Sequence, residues 1–292
     1  MSREARAADV TATAATAARA EPPSWRMRLA RALDRLPHVF DGLVGAARIV
    51  ATGLPVGLLR RNEIRRLVHE AYADAPGFYD PAMYPIRYEE RLLPLLERHG
   101  NGRRLLDLYC GHGREAEIFA RAGYAVTAVD AQTEVVARAR RYAERAAFEA
   151  SFVAADVEHW TPPAVDWHVL YTSLWMYSTI PDRAARLAWL ARLASWLDDG
   201  GLLVLSVTPR PPGRGAAVRH AIARFTAWLS LNDRRPELGD RFETWLFWHD
   251  FTRSEVLEEI DAAGLSLVDE LVIGGGTPCS FFILRACAAG GA

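Results

Sequence analysis

The sequence predicts an α/β protein: a doubly wound, mostly parallel sheet of seven strands with an antiparallel last strand. Three observations carry that reading. From Arg104 onward, short apolar runs alternate with helical stretches, a rhythm that requires right-handed crossovers between parallel strands. The first strand runs into a glycine-rich turn that opens a helix. Near the end, two apolar runs are joined only by Gly274-Gly275-Gly276-Thr277-Pro278, too short for a crossover helix and suited to an antiparallel hairpin.

Taken in order, residues 1–23 are Ala/Thr-rich and lack large apolar side chains. They cannot bury enough surface to offset chain entropy, so a disordered tail is expected. They also lack the apolar segment of a secretory signal. Residues 24–84 read as a helical N-terminal extension. Leu29, Leu33, Leu36, Phe40, Leu43 and Ala47 recur at three- and four-residue spacing, with Arg28, Arg31, Arg35 and Arg48 largely off that stripe. Two readings follow: residues 25–66 lie on an anionic membrane surface, or they dock on the main body with a solvated arginine face. Asp41, Arg48 and Pro55 exclude a spanning helix. A Pro/Gly/Tyr-rich loop, Ala75–Ile86, leads to a helix over Glu89–Arg98 that Gly100-Asn101-Gly102 stops.

Residues 85–292 form the body. Its strands are Leu105–Tyr109, Ala125–Val129, Ser151–Ala154, His168–Thr172, Leu202–Val207, Leu265–Ile273 and Ser280–Leu284. Helices are expected over Glu115–Ala122, Thr133–Arg145 and Ala184–Leu197. A fourth opens at the capping box Thr252/Glu255 and stops at Gly264. Residues 209–250 exceed the short connection the pattern needs; a helix (Ala216–Leu231) and an aromatic run ending at Trp248-His249 suggest a cap over a pocket.

All 35 basic residues are arginine. With no lysine, Schiff-base, Walker-lysine and lysine-base chemistry are excluded, and arginine stays protonated at any working pH. The plain reading of the gap is codon bias in a G+C-rich bacterial genome, which also fits the many Ala and Arg residues. A net charge of −1 argues against a nucleic-acid partner. Cys110, Cys279 and Cys287 lack metal-ligand spacing, so no metal site is expected. Residues 1–66 hold 12 Arg and 6 acids (net +6), and the remainder 23 Arg and 30 acids (net −7): a basic head on an acidic body.

The densest chemical signal is Leu105-Leu106-Asp107-Leu108-Tyr109-Cys110-Gly111-His112-Gly113-Arg114. A turn of small residues lets a ligand reach the backbone, and the helix start offers free N–H groups. Asp130 ends the second strand, where a carboxylate can accept both hydroxyls of a ribose, and Asp156 follows the third. Gly111-His112-Gly113-Arg114-Glu115-Ala116 also fits the dinucleotide pattern G-x-G-x-x-A, a weak signal alone.

These elements together resemble the class I S-adenosylmethionine-dependent methyltransferases, with their Rossmann-like fold, over about residues 85–287. The resemblance implies S-adenosyl-L-methionine as cofactor. It implies that Tyr109, Cys110, Gly111, His112 and Gly113 wrap the methionine portion while Asp107 orients it. Asp130 with Ala131 would hold the ribose, Asp156 with Val157 would flank the adenine, and Ser173 belongs to the same set. One departure stands out: the family's first loop glycine is Tyr109 here.

The stretch Asp166–Ser178 lacks the Asn-Pro-Pro-aromatic signature of enzymes that methylate amide or nucleobase nitrogens. The expected acceptor is therefore a small-molecule or lipid-like compound methylated on oxygen or nitrogen. Trp175, Met176 and Tyr177 are candidates for an apolar wall, with Tyr177 or Ser178 lining the pocket. His249 and Tyr177 are the candidate catalytic residues, His249 as base. The expected location is cytoplasmic, peripheral at the membrane if the head anchors. A catalytically silent cofactor-binding partner module is the rival from another class.

Overall fold

A computed structural model of the chain describes residues 24–39, 44–74, 87–243, 246–274 and 279–287. The tail 1–23, the loop Ala75–Ile86, Trp245 and the connection 275–278 lie outside them, as do the side chains of Leu36, Phe40 and Leu43.

Strands β1 (Arg104–Leu108), β2 (Ala125–Asp130), β3 (Ser151–Ala154), β4 (Trp167–Thr172) and β5 (Leu197–Pro209) pair in parallel in the order β3-β2-β1-β4-β5. Strand β9 (Cys279–Ala286) then runs antiparallel to β5, and β8 (Leu265–Ile273) antiparallel to β9. This is the expected doubly wound sheet. Alternation splits each strand between two cores: Leu105, Val169 and Leu202 face one side, Leu106, Leu170 and Leu203 the other. The first side packs on α4 (Leu93–His99), α5 (Arg114–Arg121) and α6 (Thr133–Ala146). The second packs on α7 (Arg183–Ala194) and α9 (Arg253–Ala262). Covering both faces is what a parallel sheet needs. The Thr252/Glu255 capping box opens α9 as the sequence indicates.

Three features differ from expectation. The insertion adds two strands, β6 (Asp240–Glu243) and β7 (Leu246–Phe251), to its helix α8 (Gly215–Leu229); β7 runs parallel to the end of β5 at Thr208 and Pro209. Helix α7 stops at Ala194, short of Leu197, because Leu197 already pairs with Trp167; the Asp198–Gly201 stretch becomes a bulged arm of β5, with Gly200 at φ +76°. The N-terminal stripe is also rotated. Met27 and Ala30 are buried while Leu29 is 39% exposed.

The N-terminal helices α1 (Trp25–Val39), α2 (Val44–Leu58) and α3 (Arg61–Asp74) share a third core with α8 and the β6–β7 hairpin, built on Met27, Val56, Leu59, Ile64, Ala223, Phe242 and Phe247. Basic head and acidic body meet directly. Arg48 pairs with Glu243, Arg61 with Asp182, and Arg65 with Glu158. No described helix is long and apolar enough to cross a membrane.

The closest approach in this layer is α2 on α8. A Cβ at Gly57 would lie 2.2 Å from the Ala223 carbonyl oxygen and 2.8 Å from the Ala227 nitrogen, so backbone would have to move. Gly57→Ala is expected to lower unfolding stability by about 1–3 kcal/mol. Gly274→Ala, with nothing within 4 Å, is expected to stay close to wild type in the same denaturant titration.

Candidate active site

The turn after β1 is built on a strained backbone. Tyr109 sits at φ +63°, the left-handed region where glycine is at ease, and Gly111 and Gly113 follow at +52° and +82°. The tyrosine thus keeps a glycine-like conformation at the position where the family departure was noted, with its ring 6.4 Å from that of Trp189. A Cβ on Gly113 would come within 3.1 Å of the Phe152 ring, so the turn lies tight on β3. The Gly111 amide donates to Asp130 Oδ2 at 3.1 Å and the Gln132 amide to Oδ1 at 3.0 Å. Each oxygen keeps a second lone pair for a ligand hydroxyl.

Beyond this turn opens a cleft with about 1320 Å³ of free space, part of it open to solvent. Tyr109, Cys110, Gly111, His112, Asp130, Ala131, Asp156, Val157 and Ser173 all line it. Gly113 lies just behind as the N-cap of α5. Asp107 is fully buried beneath, and neither of its carboxylate oxygens has a hydrogen-bond partner. Asp156 is exposed; His159 at 2.6 Å and the Glu158 amide at 3.0 Å hold its carboxyl below the usual range.

Asp107 is one of several buried acids. Glu89 and Glu115 share Arg114, which bonds Glu89 at 3.2 Å and also contacts Glu115; the Tyr171 hydroxyl donates to Glu89 at 3.1 Å. Burial, then the neighbouring Glu115, push Glu89 up to about 7 from 4.5. Burial and the charges of Glu115 and Glu89 push Asp107 well above the carboxylate range. Sequence reasoning missed Glu89, Glu115 and Arg114 because they sit on helices, where charge usually marks a solvated face. It also missed Arg65, Val68, His69 and Tyr72 of α3, which close one side of the cleft.

The two candidate catalytic residues are placed elsewhere. Tyr177 is buried, stacks on Phe251 at 5.4 Å and donates to Glu259 at 2.6 Å; its phenol is pushed well up by burial and by that carboxylate. His249 is buried with Nδ1 2.7 Å from Asp240 Oδ1. Neither lines the cleft, and Ser178 is buried, accepting from the Thr208 amide at 3.0 Å. The reason is strand alternation: Trp248 and His249 are neighbours on β7, so Trp248 reaches the cleft and His249 turns away. Glu237, Asp240 and His249 converge within 4.8 Å, but Arg186 and Arg234 already neutralise the two acids, which makes the group a salt-bridge network.

Two predictions follow from this geometry. His249→Ala and Tyr177→Phe should keep turnover within about threefold in steady-state assays while costing about 1–3 kcal/mol in thermal unfolding, because Asp240 and Glu259 lose a buried partner. Glu89 binds its proton more tightly folded than unfolded. Its stabilising contribution is complete below pH 4.5 and is lost as pH rises through about 7. That loss is at most on the order of 3 kcal/mol. Glu89→Gln should flatten the fall in melting temperature over this window; an unchanged slope would remove Glu89 from the account.

A methyltransferase-domain family model matches residues 105–201. The trans-aconitate 2-methyltransferase of Afipia carboxidovorans is 30% identical over 154 residues, 52% of this chain and 54% of that one. A ubiquinone biosynthesis O-methyltransferase of Xanthomonas axonopodis pv. citri is 33% identical over 144 residues, 48% of this chain and 56% of that one. The chain thus spans about half the length of these curated relatives. Among solved structures, the 1,6-didemethyltoxoflavin-N1-methyltransferase of Burkholderia thailandensis superposes with a TM-score of 0.60 at 18% identity, covering 79% of this chain and 92% of that one. An S-adenosylmethionine-dependent methyltransferase of Clostridium acetobutylicum gives 0.53 at 13% identity, covering 74% and 99%. Sheet order, glycine turn and family match agree: residues 105–201 match a methyltransferase domain, and the sheet has the fold of the S-adenosylmethionine-dependent methyltransferases it superposes on.

Proposed function

We propose that this chain transfers a methyl group from S-adenosylmethionine to an oxygen or nitrogen of a small, planar and largely apolar acceptor. One observation carries the reading. The same cleft receives Asp130, Asp156 and the glycine turn on one side, and Leu174, Trp175, Met176, Ile180 and Trp248 on the other. The donor's demands fit the residues present. Asp107 is a buried carboxylate with no hydrogen-bond partner, as a nearby ligand ammonium would need, and Asp130 has lone pairs for a ribose. Bound there, the donor supplies an electrophilic methyl on a sulfonium.

The chain's own part is to position the acceptor and exclude water. Trp175, itself at φ +61°, and Trp248 stand edge to face at 6.4 Å, a wall suited to a flat ring. In this reading Tyr109, Cys110, Gly111, His112, Ala131, Val157 and Ser173, all on the cleft wall, contact the donor, and Gly113 shapes the turn behind them. Where the acceptor must lose a proton, the groups in reach are His69, His112 and Glu115 on the cleft wall. Helices α1, α2 and α3 share a core with α8 and the β6–β7 hairpin, and together they contribute α3 and Trp248 to the acceptor side.

Of the acceptor chemistries named for the relatives, a polycarboxylate suits this cleft poorly. Arg114 is held by Glu89 and Glu115, and Arg65 lies 3.5 Å from Glu158. An aromatic or quinone-like ring suits it well. Incubating a native lysate extract with enzyme and isotope-labelled donor, read by mass spectrometry, should yield a labelled aromatic product. Labelled polycarboxylates alone would contradict the reading. Against that product's precursor, Trp175→Ala and Trp248→Ala should each raise KM about tenfold with kcat changed less than threefold.

A further inference from the structure

We propose that the outer face of α8, with the start of α1 beside it, is a docking surface for an anionic lipid bilayer. This inference is independent of the acceptor reading.

Helix α8 presents two opposite faces. Ala223, Thr226 and Ala227 are buried against the close-packed α2. On the other side Val218, Ala221, Phe225, Trp228 and Leu229 recur at three- and four-residue spacing, all exposed. Phe225 is 61% exposed, Trp228 72%, Leu229 67%, and Leu231 just past the helix 86%. The α1 start joins this stripe: Arg26 donates to the Ser230 carbonyl at 2.7 Å, and its neighbour Trp25 is 55% exposed. Leu29 follows one turn on. Scattered exposed apolar residues are ordinary, whereas a continuous convex stripe of aromatic and aliphatic side chains marks an interaction surface.

Charge selects the occupant. Helix α8 contains no Asp or Glu. Arg214 at the N-cap and Arg224 within the helix border the stripe, both exposed, and neither makes an ion pair among the described residues. Elsewhere in the head, Arg31, Arg48, Arg61 and Arg65 are already paired with acids. Trp and Phe at the level of a cationic rim match the interfacial zone of an anionic membrane, where rings enter the headgroup boundary and guanidinium groups meet phosphates. A protein partner would more often meet such anchors with pockets and mixed charges. The membrane reading of residues 25–66 is thereby narrowed to the start of α1, with the insertion helix α8 supplying most of the surface.

The test is flotation of the full chain with vesicles of phosphatidylcholine alone or with about 30% phosphatidylglycerol, which gives the surface a negative potential. Binding should require the anionic lipid and weaken at high salt. Phe225→Ser/Trp228→Ser and Arg224→Glu should each reduce binding at least tenfold, with melting temperature and donor affinity unchanged. Equal flotation of wild type and variants, or no flotation of wild type, would overturn the proposal. So would light scattering that shows a dimer broken by the same variants without vesicle binding, since the face would then belong to a second copy.

Discussion

The hydrogen bond from the Gly111 amide to Asp130 ties the turn after β1 to the tip of β2, and the ligand side of the molecule depends on it. Parallel pairing of Leu108 with Val129 brings the two strand ends level. The Cys110 amide, bonded to the Val129 carbonyl at 3.0 Å, then fixes where the turn must reverse. That reversal forces left-handed backbone onto Tyr109, Gly111 and Gly113 in close succession. Strain at one non-glycine residue, on the order of 1–3 kcal/mol, is tolerable because ring packing on Trp189 and the surrounding sheet over-determine it. The result is a fixed cradle at the start of α5 with carboxylates on two sides.

Electrostatically the same region is under tension. Asp107, Glu89 and Glu115 crowd around one arginine at the buried floor of the cleft. Such a cluster destabilises the protein alone and favours a ligand that brings positive charge. Stability is thus given up where binding needs it. The opposite holds around Tyr177 and His249, where Arg186 pairs with Glu259 and Arg234 with Asp240. That network joins α7, α9 and the β6–β7 hairpin into one rigid support beneath the cleft.

Much of the sheet was legible because its signals are local. A β-rich run, a glycine turn, a capping box and a Gly-rich hairpin each act within a few residues. The acids Asp107, Asp130 and Asp156 could be ranked because strand ends converge in any doubly wound sheet. What sequence could not supply was long-range contact. The hairpin β6–β7 becomes a strand pair only because it finds the overhang of β5 at Thr208 and the helices of the head. Whether Trp248 or His249 faces the cleft is a matter of one residue of register, which flips every side chain on the strand. Likewise Leu29 loses to Met27 and Ala30, since α1 rotates toward what it packs on. Glu89 and α3 reach the cleft from far along the chain, and no spacing signals that.

The central claim is that the cleft beside the Gly111–Asp130 bond holds the methyl donor. Calorimetric titration of the full chain with S-adenosylhomocysteine tests it most directly. One equivalent should bind in the micromolar range, and Asp130→Ala should weaken binding at least thirtyfold while leaving the circular dichroism spectrum intact. Equal affinity in the variant, or binding of a nicotinamide dinucleotide in place of S-adenosylhomocysteine, would contradict the account.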